Sequence, residues 1–136
     1  INLLKDLQKQ MGLTYIFITH DLSVVNHFSD EIAVMYLGQM VEKAPAEELF
    51  ANPIHPYTKM LIGALPRVGD KSQKVGIPGR PPSLKNPPAG CRFAERCKYA
   101  RPECRYTGIP EKSFDEGRMY RCLLGVDELK EVYSHE

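Results

Sequence analysis

The sequence predicts an α/β fold: a short parallel sheet with helices and a β-hairpin, followed by a small irregular cysteine-rich extension. Three observations carry this expectation. Two apolar runs, Thr14–Thr19 and Glu31–Leu37, lack the alternation of a strand with one wet face and suit strands covered on both sides, as in a parallel sheet. Helical patterns lie before and between them, giving the alternating order of an α/β domain. A stretch rich in proline and glycine then separates these elements from a segment that holds all four cysteines.

Ile1, Leu3, Leu4, Leu7 and Met11 recur at helical spacing, and Gly12 supplies a C-terminal stop. Asp21 caps a second helix that runs to about Ser29. After the run ending at Leu37, Gly38-Gln39 makes a tight turn into a short strand, Met40–Lys43. Pro45 begins a short helix with Glu47 and Glu48 in its first turn, where the helix dipole favours acids. Asn52-Pro53 ends it, and Pro56 opens another helix that stops before Pro66. Six prolines and three glycines between Pro66 and Gly90 read as an extended linker, and a last helix covers about Gly125–Tyr133. The expected division is therefore residues 1–65, a linker over 66–90, and a cysteine-rich part over 91–136. The start at Ile1, inside a helical pattern and without Met, reads as a fragment boundary.

The chain has 136 residues, 43% of them hydrophobic, which argues against wholesale disorder. No apolar run is long enough to span a bilayer. The net charge is +1 but unevenly spread: Pro66–Cys122 carries 13 Lys and Arg against 6 Asp and Glu, between two mildly acidic flanks. The basic middle reads as a solvated surface rather than a nucleic-acid site, because neither aromatic interleaving nor a nucleic-acid fold accompanies it.

His20 falls just past an apolar run, at the strand end where open α/β sheets bind ligands. The segment Ile16-Phe17-Ile18-Thr19-His20-Asp21-Leu22 resembles the switch-histidine segment of ABC-type ATPases. The stretch from Ile32 to Glu42, with Pro45 and Glu47-Glu48 beyond, resembles the strand and hairpin that come next in that family. The resemblance implies part of an ABC ATPase domain with a truncated parallel sheet. It makes His20 a catalytic and nucleotide-binding residue that contacts the γ-phosphate and helps position the attacking water, with ATP and magnesium as the parent subunit's cofactors. No Gly-x-x-x-x-Gly-Lys-Ser/Thr loop, Leu-Ser-Gly-Gly signature or apolar strand ending in Asp-Glu occurs in the sequence, so the chain alone is expected to be inactive as an ATPase.

Asn52-Pro53-Ile54-His55-Pro56-Tyr57-Thr58-Lys59-Met60-Leu61 is similar to a segment of the oligopeptide, dipeptide and nickel importer branch. Ile77–Leu84 and Gly90–Ala100, with Cys104 and Cys122, continue the resemblance, although Lys98 stands where the family has Pro and Tyr120 lies in a stretch where a His is common. Read from the residues alone, Pro56 starts a helix while His55 and Tyr57 pack or cap at its entry. The resemblance implies the C-terminal part of an ATP-hydrolysing subunit that powers peptide import. That subunit would lie on the cytoplasmic face of the membrane, beside permease chains and a second ATP-binding subunit.

Cys91, Cys97, Cys104 and Cys122 are separated by 5, 6 and 17 residues. Two disulfides, a four-cysteine zinc site, an iron–sulfur cluster and four uncoordinated thiols all accommodate that pattern; a cytosolic chain keeps thiols reduced, and zinc ribbons use closer pairs. The resemblance favours a [4Fe-4S] cluster, with zinc as the alternative metal, acting as a structural staple. Arg92, Arg96, Lys98, Arg101, Arg105 and Arg121 are expected to lower the thiols' pKa and offset the negative charge of such a centre. The competing function is an independent four-cysteine iron–sulfur or zinc module with a structural or redox role. Finally, the apolar run Thr14–Thr19, left as a sheet edge, predicts self-association.

Overall fold

The computed structural model describes residues 2–65, 80, 83 and 85–135. Most of the expected linker therefore lies outside the described residues. Helix α1 (Asn2–Met11) ends where Gly12 takes a positive φ. Helix α2 (Leu22–Phe28) is capped by Asp21, whose carboxylate accepts from the Ser23 amide and hydroxyl.

Strands β1 (Glu31–Tyr36) and β2 (Gln39–Pro45) form an antiparallel hairpin. Tyr36 pairs with Gln39, so the two-residue turn is Leu37-Gly38, one position earlier than expected; both residues have positive φ, at 48° and 78°. Val34 pairs with Glu42 and Met35 with Met40, which leaves Val41 as a bulge. The bulge lets two consecutive residues, Val41 and Glu42, both be buried. Helices α3 (Ala46–Ala51) and α4 (Pro56–Gly63) come next, with Pro56 in the first turn of α4.

After two 3₁₀ turns, Ala94–Arg96 and Pro102–Arg105, a second hairpin forms from β3 (Lys112–Phe114) and β4 (Arg118–Tyr120), and helix α5 (Val126–Ser134) ends the described chain. The cysteine-rich part is thus less irregular than expected. The sheet order is β1-β2-β4-β3, so the late hairpin extends the early one. One core gathers Ile32, Val34, Tyr36, Val41, Leu49 and Phe93. A second gathers Ile54, Tyr120, Leu124 and Leu129.

Two expectations are corrected. The sheet among the described residues is antiparallel throughout: tight turns reverse the chain within each hairpin, and β4 joins β2 antiparallel as well. β1 is buried on one face only, with Ile32, Val34 and Tyr36 inward and Glu31, Ala33 and Met35 outward. The run Thr14–Thr19 forms no strand: no described segment pairs with it, and Ile16 and Ile18 are 92% and 94% exposed. An extended segment becomes a strand only where a neighbour satisfies its backbone.

Candidate functional site

The sequence points to two sites, one at His20 and one at the cysteines. His20 is exposed and sits beside Asp21, Leu22, Leu61, Ala64 and Leu65 around an open pocket of about 300 Å³. The Asp21 carboxyl is held below its ordinary range, first by the Ser23 side chain, and is committed to the α2 cap. A triphosphate and its metal require a cradle of backbone amides and further carboxylate or hydroxyl ligands. This pocket offers an imidazole and one engaged carboxylate, so the residues present do not by themselves fit ATP and magnesium.

The four cysteines converge. Cys91, Cys97, Cys104 and Cys122 all line one cavity of about 20 Å³, room for about one water, together with His55, Pro56, Phe93 and Leu124. Sequence spacing alone does not bring residues 91 and 122 together; the fold does, through two contacts. The Cys91 amide donates to the Cys104 carbonyl at 2.6 Å, and Gly90 makes the approach feasible, because a Cβ there would lie 2.2 Å from that same oxygen. The Arg121 amide donates to the Val41 carbonyl at 2.8 Å, which ties the residue before Cys122 to the bulge of β2.

All four thiols are free. Burial pushes Cys97 up to about 12 and Cys122 up to about 11, with neighbouring cysteines adding to both shifts, and it raises Cys91 as well. This corrects the expected role of the basic residues. Arg92 donates to the Leu37 carbonyl, Arg96 to the Tyr36 hydroxyl at 3.2 Å, and Arg101 to Glu128 at 2.7 Å. Arg121 bonds the Met40 and Ile109 carbonyls and Glu111. These cations fasten the cysteine segment to the sheet and to α5 instead of depressing the thiols. As a donor set, four soft sulfurs on one cavity suit a thiolate-bound centre. Among the described residues, no group of three or more His, Cys, Asp or Glu side chains is placed to hold a metal ion.

Sequence reasoning missed the polar clasp beside this cavity. Glu42 is 0% exposed, and its carboxylate accepts from the amides of Ile54 (3.0 and 3.1 Å) and His55 (2.7 Å) and from the Arg118 guanidinium at 3.1 Å. Arg118 also donates to the Asn52 carbonyl at 2.7 Å and lies over the Phe114 ring. Burial raises the Glu42 carboxyl above its ordinary range, against the opposing pull of those hydrogen bonds and of Arg118. Only the position of Glu42, inside a strand, could have hinted at this.

Residues 41–104 match the family described as the oligopeptide/dipeptide transporter C-terminal region. That stretch contains most of β2, the His55-Pro56-Tyr57 triplet and three of the four cysteines. Over 125 residues, 90% of its length, the chain is 44% identical to the dipeptide transport ATP-binding protein DppF of Haemophilus influenzae. It is 49% identical over 111 residues, 79% of its length, to the oligopeptide transport ATP-binding protein OppF of Salmonella typhimurium. It spans 38% of the first relative and 33% of the second. The resemblance to a C-terminal fragment of such an ATP-binding subunit is thereby borne out.

Proposed function

We propose that this chain is the C-terminal part of the ATP-hydrolysing subunit of an ABC importer for dipeptides or oligopeptides. The observation that carries the reading is the similarity of nine-tenths of the chain to a dipeptide transport ATP-binding protein. In that subunit His20 serves as the switch histidine at the γ-phosphate, while the phosphate cradle and magnesium ligands come from outside this chain. The subunit works on the cytoplasmic face of the membrane against permease chains and a second ATP-binding subunit. No described helix is long and apolar enough to cross a membrane. The parts 1–65, 66–90 and 91–136 act as the end of the ATPase domain, a linker and an extension. The test is a chimera in which this chain replaces the corresponding part of the Haemophilus protein. It restores labelled-dipeptide uptake to a strain lacking that subunit, and His20→Ala in the chimera abolishes the uptake. A folded, ATP-binding chimera without uptake refutes the reading.

At the cysteines, Cys91, Cys97, Cys104 and Cys122 hold a [4Fe-4S] cluster as a staple between the early and late parts of the chain. The support is the convergence of four sulfurs on one cavity. The cluster would supply four iron–thiolate bonds in place of one buried and three half-buried thiols, and the cavity walls must open to admit it. Iron and sulfide assays after anaerobic reconstitution check this; no retained iron above a four-serine variant refutes it. The exposed run around Ile16 and Ile18 supports self-association of the fragment, read by sedimentation.

A further inference from the structure

Two of the four cysteines touch through their own backbones. The Cys91 amide donates to the Cys104 carbonyl at 2.6 Å. Covalent bond lengths then hold the two Cα atoms within about 6.5 Å of each other, whatever the angles. Disulfides span Cα separations of about 4.4–6.8 Å. Both side chains line the same cavity of about 20 Å³. The Cys104 sulfur is fixed in place, because it accepts from the Arg101 amide at 3.4 Å. Gly90 keeps the approach open, since a Cβ there would collide with the Cys104 carbonyl oxygen. The other two cysteines are fastened elsewhere. Cys97 bonds the Ala94 carbonyl and the Ala100 amide within its own segment, and Cys122 follows Arg121, whose amide is tied to Val41.

We infer that Cys91 and Cys104 are a modification site, forming a reversible disulfide when a peroxide reaches the metal-free chain. Cys91 is half-buried and Cys104 buried, so the peroxide meets Cys91 first. The Cys91 sulfur attacks one peroxide oxygen: an S–O bond forms, the O–O bond breaks, and the departing hydroxide takes the thiol proton and leaves as water. The Cys104 sulfur then attacks the Cys91 sulfur. An S–S bond forms, the S–O bond breaks, and the hydroxyl leaves with the Cys104 proton as a second water. The two sulfurs together lose two electrons and the peroxide gains them. A reducing dithiol reverses the bond by thiol–disulfide exchange. The pairing stands on the metal-free chain; only its consequence rests on the cluster reading. Two sulfurs joined to each other cannot serve a four-thiolate centre, so the disulfide shuts the site to iron.

The full chain is reduced, stripped with chelator and treated with one equivalent of hydrogen peroxide. Remaining thiols are alkylated in urea and the disulfides are mapped by mass spectrometry. Trypsin cuts after Arg92, Arg96, Lys98, Arg105 and Arg121 and so places each cysteine on its own peptide. In the folded chain the Cys91–Cys104 linkage exceeds every other pair about tenfold, as fixed proximity implies. Oxidised in urea, the chain gives mainly the pairs with the shortest loops, Cys91–Cys97 and Cys97–Cys104. A folded chain that yields the urea mixture, or one that stops at an oxidised Cys91 with Cys104 still alkylated, overturns the inference. Iron uptake is scored separately. The disulfide-bearing chain takes up about tenfold less iron than the reduced chain, and dithiothreitol restores it. Equal uptake by both overturns the closure of the site. A reduced chain that takes up no iron ends the cluster reading and leaves the mapped disulfide standing.

Discussion

Replacing Arg118 with Met tests whether the buried clasp holds the two hairpins together. The Arg118 side chain is 4% exposed and serves both the Glu42 carboxylate and the Asn52 carbonyl. Met fills much of the volume but leaves Glu42 in the interior without its cation. Breaking a buried pair on one side costs about 3–5 kcal/mol, most of it the stranded charge. That is a large share of a small domain's stability. The cost depends on pH with a definite sign. Burial already raises the Glu42 carboxyl above its ordinary range. The folded state therefore binds this proton more tightly than the unfolded state does. Its contribution is full below the unfolded carboxyl pKa and is lost as pH rises through the folded value. Without Arg118 the folded value rises further, so the penalty of Arg118→Met grows between pH 5 and pH 7.5 by up to about 1.4 kcal/mol per unit. Urea unfolding, monitored by circular dichroism at the two pH values, reads both numbers. A loss under about 1 kcal/mol at pH 7.5, or equal losses at both, refutes the reasoning. The double change Glu42→Leu with Arg118→Met does not recover the loss, because the Ile54 and His55 amides then lack an acceptor at about 1–3 kcal/mol each.

The same geometry sets other outcomes. Gly90→Ala pushes a methyl group against the backbone at Cys104, Arg105 and Tyr106, and overpacking of this kind costs about 1–3 kcal/mol, read as a lower melting temperature; an unchanged melt contradicts the contact. In the metal-free chain at pH 8, the thiols of Cys97 and Cys122 alkylate about a hundredfold more slowly than in urea, because burial keeps them protonated; equal rates in both conditions exclude the buried cluster of thiols. Ile16→Lys with Ile18→Lys leaves the unfolding midpoint unchanged, since both side chains face solvent, and abolishes any concentration-dependent rise in mass seen by sedimentation. A parent chain that stays monomeric at high concentration refutes the expected self-association.

Much of the fold was legible where its cause is local. Asp21 as a cap, Gly12 as a stop, Pro56 in a first helical turn and the turn at Gly38 each reflect one residue's own stereochemistry. The helix at the C-terminus was legible for the same reason. β3 and β4 were missed because three residues carry too little pattern. The turn Asp115-Glu116-Gly117, with positive φ at Asp115 and Gly117, was the signal that could have found them. At the candidate sites, residue types were legible and surroundings were not. The sequence named His20 and four cysteines, but it assigned Arg92, Arg96, Arg101 and Arg121 to the thiols, and these four bond carbonyls, a hydroxyl and carboxylates.

The sequence by itself determined the kinship and the helix boundaries. Motifs and caps are written in neighbouring residues, whose preferences survive any tertiary context that tolerates them. The tertiary structure alone decided that Thr14–Thr19 stays unpaired, that Glu42 meets Arg118 across 76 positions, and that Cys91 and Cys122 share a cavity. Pairing, burial and convergence each depend on what arrives from elsewhere in the chain, and no local propensity encodes the arrival.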